Sequence, residues 1–105
     1  MSNNAKSRLV VVRNEKGIHL RPADQLVRRA QQYESDIKIV KDGETFDGKS
    51  ILSVISLVAE QGTELVLRAT GPDADDALDA LVELFERGFD EMSAAETTED
   101  SSADR

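Results

Sequence analysis

Between Leu9 and Tyr33 the hydrophobic pattern changes period, and that change limits what this chain can fold into. Leu9-Val10-Val11-Val12-Arg13 is an apolar, β-branched run that reads as a buried strand. Ala23, Leu26, Val27, Ala30 and Tyr33 then recur at the three- and four-residue spacing of one helix face. The stretch Gly17-Ile18-His19-Leu20-Arg21-Pro22-Ala23 joins the two. Gly17 gives the backbone freedom for the turn. Pro22 suits a first helical turn, where its missing N–H has no partner to lose. His19, the only histidine of the chain, therefore falls where a strand gives way to a helix.

The same reading carries on downstream. Strand 8–13 and helix 20–33 are followed by a polar turn and an alternating strand, Ile37-Lys38-Ile39-Val40-Lys41. Asp42-Gly43 is a strong turn signal before the short strand Glu44-Thr45-Phe46-Asp47, so these residues predict a hairpin. Ser50 is placed to cap a second helix over 50–58, and Gln61-Gly62 is read as its glycine stop. Glu64 to Thr70 forms the last strand. Gly71-Pro72-Asp73 introduces a helix over 73–90, whose stripe of Ala74, Ala77, Leu78, Leu81, Leu84, Phe85 and Phe89 is core. The order βαββαβα predicts an α+β domain, an open-faced β-sandwich with a four-stranded antiparallel sheet covered on one face by three helices. Residues 1–7 read as a flexible N-terminus, 8–90 as one domain, and 91–105 as a disordered acidic tail.

Composition narrows the chemistry. A chain of 105 residues supports one small core, and with no cysteine it has neither disulfides nor thiolate metal sites. One histidine excludes a histidine-rich metal cluster, so no metal ligands are assigned. The net charge of −8 argues against general nucleic-acid binding. No apolar stretch is long enough for a membrane span or signal, which leads to the expectation of a cytoplasmic protein. Lys16, Arg21, Arg28, Arg29 and Lys49 gather near two helix starts, an asymmetry that suits acidic protein partners.

The position of His19 suggests phosphoryl chemistry. The first turn of a helix leaves backbone N–H groups unpaired at the positive end of the macrodipole, which makes an anion site. A neutral imidazole there is a nucleophile near physiological pH. Arg21 can add charge-assisted hydrogen bonds to a phosphoryl group held on it.

Gly17-Ile18-His19-Leu20-Arg21-Pro22-Ala23 resembles the active-site motif of HPr, the histidine-containing phosphocarrier of the phosphoenolpyruvate-dependent phosphotransferase system. The resemblance runs over residues 8–90 and implies the strand order 1-4-2-3. It implies a carrier rather than an enzyme, with no cofactor: His19 accepts a phosphoryl group on Nδ1 from phosphorylated enzyme I and passes it to an enzyme IIA-type domain. Lys49-Ser50-Ile51 aligns with the regulatory motif of that family, which makes Ser50 a candidate for phosphorylation and an HPr kinase/phosphorylase a further candidate partner. An alternative is a regulatory binding module controlled through Ser50, without sugar transport. Leu20, Lys49, Ile51, Leu52 and Ile55 correspond to the docking patch beside the histidine. The chain departs from the family in Leu20, where alanine is usual, in Asp24, which is read as placing a carboxylate in the first helical turn, and in Ser53, where glycine is frequent.

One motif points elsewhere. Gly43-Glu44-Thr45-Phe46-Asp47-Gly48-Lys49-Ser50 matches the P-loop pattern letter for letter. Glu44 and Asp47 would repel the phosphates, and Thr45-Phe46 reads as strand rather than loop. The chain is also too short for a doubly wound nucleotide-binding core. Gly48-Lys49-Ser50 is read as a helix start.

Overall fold

Leu65, Leu67 and Ala69 alternate along the strand with outward-facing residues, and all three are at most 1% exposed. They mark the central strand of the sheet and the inner wall of the core. The computed structural model describes residues 5–91. The elements follow the order β1 (Ala5–Val11), α1 (Leu20–Ala30), β2 (Asp36–Lys41), β3 (Glu44–Asp47), α2 (Ile51–Ser56), β4 (Glu64–Thr70) and α3 (Ala74–Glu86), closed by a single 3-10 turn, Gly88–Asp90. The four strands lie in the order β1-β4-β2-β3, and every neighbouring pair is antiparallel. Val10 faces inward opposite Leu65, and Ile39 lies between Leu67 and Phe46. The helices cover that face with Ala23, Leu26, Val27, Ala30, Val54, Ala77, Leu78, Leu81 and Phe85. Leu9 and Val11 point to the other, open side and remain exposed.

The observed limits of several elements differ from the predicted ones. β1 begins at Ala5, because Ala5 and Ser7 pair with Thr70 and Arg68 although they bury no apolar surface. α1 stops at Ala30, with Gln31 as its C-cap. α2 ends at Ser56, and Val58 then turns the chain in a left-handed conformation (φ 49°). Gly62 therefore stops no helix; its N–H instead donates to the Val12 carbonyl at 2.8 Å in the turn into β4. The acidic tail lies outside the described residues from residue 92 on, as do residues 1–4.

Asp73 stands at the N-cap position of α3, but its side chain makes no cap bond to that helix. It serves the α1–β2 turn instead, accepting from Ser35 Oγ at 2.6 Å and from the backbone N–H groups of Glu34 and Ser35 at 2.9 Å each. These bonds, led by the Ser35 hydroxyl, hold the Asp73 carboxyl below its usual range.

The P-loop pattern is split among three elements. Thr45 and Phe46 sit in the ladder opposite Val40 and Ile39, and Asp47 accepts from the Lys49 N–H at 2.9 Å. No continuous phosphate-cradling loop runs through residues 43–50.

Candidate functional site

His19 is the N-cap residue of α1, in extended conformation, and its side chain caps nothing. Two bonds fix the backbone around it: Ile18 N–H to the Ala59 carbonyl at 2.8 Å, and Ala23 N–H to the His19 carbonyl at 3.0 Å. Gly17, with φ 72°, passes so close to the α2–β4 connection that an added Cβ would lie 2.4 Å from the Ala59 oxygen. Glycine is required here by conformation and by space. Pro22 is buried in the first turn and contributes no N–H. The N–H groups of Leu20 and Arg21 have no acceptor among the described residues, so the positive end of α1 is open beside the histidine.

The imidazole is 41% exposed and in contact with a carboxylate absent from the sequence reading of the site. Nε2 lies 2.9 Å from Glu91 Oε2 and 3.2 Å from Oε1. Glu91 is 19% exposed, and its Oε1 also accepts from Asn14 Nδ2 at 3.0 Å. Asn14 is fully buried and donates from the same nitrogen to the Gly17 carbonyl at 2.7 Å. Both its partners are acceptors, which fixes the orientation of the amide.

Glu91 is delivered by a tight reversal after α3. Gly88, Phe89 and Asp90 all take positive φ, at 63°, 55° and 63°. For the two residues with a Cβ this conformation costs about 1–2 kcal/mol each. Burial offsets that strain: the Phe89 ring is 1% exposed and meets Phe85 edge-on at 4.9 Å between centroids. Gln25 Nε2 donates to the Phe89 carbonyl at 3.2 Å, and Arg87 pairs with Asp90 at 3.1 Å.

The remaining predicted residues divide into two groups. Arg21 is exposed and makes no hydrogen bond or ion pair among the described residues. Leu20 (64% exposed), Leu52 (77%) and Ile55 (37%) are each exposed apolar side chains, whereas Ile51 packs partly against the core. Ser50 is the N-cap of α2 and accepts from Ser53 N–H at 3.2 Å. Lys49 is tied back, its Nζ donating to the Tyr33 carbonyl at 2.7 Å. Asp24 lies beyond the first turn of α1, and both its oxygens accept from Arg28 Nε, at 3.0 and 2.9 Å. Arg28 and Lys49 are thus engaged within the fold, whereas the Arg21 guanidinium has no protein partner among the described residues.

Residues 6–87 match the family model described as the PTS HPr component phosphorylation site. The phosphocarrier protein HPr of Treponema pallidum is 40% identical over 82 residues, 78% of this chain and 93% of the relative. The phosphocarrier protein NPr of Proteus mirabilis is 34% identical over 85 residues, 80% of this chain and 94% of the relative. Among solved structures, HPr-C-His from Thermoanaerobacter tengcongensis superposes with a TM-score of 0.79 at 36% identity, covering 81% of this chain and 96% of that one. The family match takes in every strand and helix that builds the sandwich and includes the histidine at its helix end, so this chain belongs to the HPr family of phosphocarrier proteins of the phosphotransferase system.

Proposed function

We propose that His19 accepts a phosphoryl group on Nδ1 from phosphorylated enzyme I and hands it to an enzyme IIA-type domain, in sugar uptake or its regulation. The observation that carries this reading is the half-exposed imidazole at the α1 N-cap, beside the free N–H groups of Leu20 and Arg21. The three equatorial oxygens of a phosphoryl group in transfer need positioning and positive charge more than a deep pocket. The helix end and the Arg21 guanidinium supply both. Leu20, Leu52 and Ile55 form the apolar surface on which either partner docks, with Lys49 and Ile51 at its edge. The work of such a carrier lies in the cytoplasm, and among the described residues no helix is long and apolar enough to cross a membrane. The test is incubation with enzyme I and labelled phosphoenolpyruvate. Wild type takes up acid-labile label and His19→Ala takes up none; label retained by the variant defeats the assignment.

Ser50 supports a second, regulatory reading. It is half-buried at the start of α2 and next to the docking surface, so a phosphate there adds negative charge where partners approach. Its hydroxyl already accepts the Ser53 N–H, and a phosphate oxygen can take over that bond at the same helix end. An HPr kinase/phosphorylase is the partner this reading requires. Acid-stable label from ATP on wild type, absent from Ser50→Ala, establishes it.

A further inference from the structure

Val66 lies on the open side of the sheet, in register with Leu9 of β1 and with Val40 of β2, and Val40 in turn lies opposite Thr45 of β3. These side chains form one row across all four strands, on the side away from the helices. Leu9 is 64% exposed and its outward neighbour Val11 is 40% exposed, while Val66 and Val40 are half-buried. An antiparallel sheet with one face on the core and the other in water ordinarily alternates apolar-in and polar-out. Here both faces are apolar along the central row, and a contiguous exposed apolar patch marks an interaction surface.

We propose that this face binds a second copy of the same chain, back to back, about a two-fold axis lying along the Leu9–Val66–Val40 row. Charge selects both the occupant and the axis. Glu64 and Arg68 flank Val66 on its own side of β4, both exposed and both without a side-chain partner among the described residues. An axis along the row reverses the strand direction in the second copy. Val66 then meets its own counterpart, Glu64 meets Arg68 of the partner subunit, and Arg68 meets Glu64 of the partner subunit. Two ion pairs thus form at one self-complementary contact, as a two-fold interface requires. The other in-plane axis, along β4, would set Glu64 against Glu64 and Arg68 against Arg68. Two more charged groups of this face are already engaged within the protomer: Lys38 pairs with Asp36 at 3.2 Å, and Asp47 accepts from the Lys49 N–H.

Stacked about 10 Å apart, two such faces close the open sheets into a β-sandwich. The longest strands have seven residues, so four strands about 4.8 Å apart present a flat face of about 400 Å² per copy. That lies at the small end of specific interfaces, and the net charge of −8 on each copy opposes the approach. The dimer is therefore weak and concentration-dependent. The helices stay on the outside of the pair, which leaves the α1 N-cap of both copies within reach of other proteins.

Sedimentation equilibrium of the full chain, loaded from about 10 μM to about 1 mM, tests this. Wild type is expected to pass from monomer to dimer over that range. Leu9→Thr combined with Val66→Thr keeps strand propensity while removing apolar contact, and weakens the dimer about tenfold or more. Glu64→Arg alone and Arg68→Glu alone each weaken it about fivefold or more, by opposing like charges. The two reversals together restore it to within about threefold of wild type, because both ion pairs form again with their signs exchanged. These exposed positions decide the matter if the threonine variant does not fold. A wild type that stays monomeric up to about 1 mM overturns the proposal. So does a dimer that the threonine changes leave intact, or a double reversal that fails to restore it.

Discussion

The Ser35 hydroxyl donates to Asp73 Oδ1 at 2.6 Å, and the Asp73 N–H answers with a bond to the same hydroxyl oxygen at 3.2 Å. This reciprocal pair clamps the α1–β2 turn to the β4–α3 turn. Because the Asp73 carboxyl is held below its usual value of 3.8, the clamp is fully present above that pH and weakens as pH falls through the lower folded value. Asp73→Asn is therefore expected to lower Tm at neutral pH. The difference from wild type narrows as both proteins are acidified through the lowered folded-state value of the carboxyl, below which it is neutral in either state. Thermal melts of the two proteins along a pH series check this; a constant gap at every pH rejects it.

Gly17→Ala is expected to be far more disruptive than an ordinary surface change. The new methyl lies 2.4 Å from the Ala59 oxygen, at a φ of 72° that L-residues rarely adopt. The conformational term alone is about 1–2 kcal/mol, and the clash adds to it by pushing apart the Ile18–Ala59 bond. Denaturant unfolding measures the loss, expected to exceed about 2 kcal/mol.

The left-handed turn after α3 yields a pair of opposite outcomes. Phe89→Ala removes a fully buried ring and is expected to cost about 3–5 kcal/mol. Asp90→Gly relieves the strained conformation at an exposed position and gives up only the surface pair with Arg87. It is expected to be neutral or stabilising by up to about 1 kcal/mol. Equal destabilisation by both variants in denaturant melts rules out this division of labour.

The apolar surface predicts a variant that separates folding from partner binding. Leu52 is 77% exposed, so Leu52→Asp should shift stability by no more than about 0.5 kcal/mol. At a docking contact the same change weakens affinity for enzyme I about tenfold or more. Titration calorimetry beside a thermal melt distinguishes the two; unchanged affinity removes Leu52 from the interface.

The element order was legible because each segment keeps one period throughout. The switch at Gly17–Pro22 and the stripe from Ala74 to Phe85 needed no tertiary information, although the helix read to residue 90 stops at Glu86 and Phe89 lies in the left-handed turn beyond it. Element ends were less legible where something other than burial sets them. β1 extends back to Ala5 because β4 offers backbone partners, and polar Ser7 gives no hint of that. His19, with its helix end, was visible from Gly17 and Pro22. Glu91 was not, since it follows the last residue of the apolar stripe and reads as the start of an acidic tail. Asn14 was hidden for a related reason: a single asparagine three residues before a glycine looks like turn chemistry, and its second bond spans 77 residues. Local periodicity cannot report such a pairing. A weak signal exists only in Phe89, an apolar residue stranded after Gly88 that needs a buried place.

Synthesis from the N-terminus completes the sheet, the three helices and the histidine turn before it reaches residue 91. A chain stopped at Glu86 would contain every element of the sandwich, yet its imidazole would face water where the finished protein offers a carboxylate. Glu91, the last of the described residues, meets His19, and the histidine acquires this partner only once residue 91 has emerged.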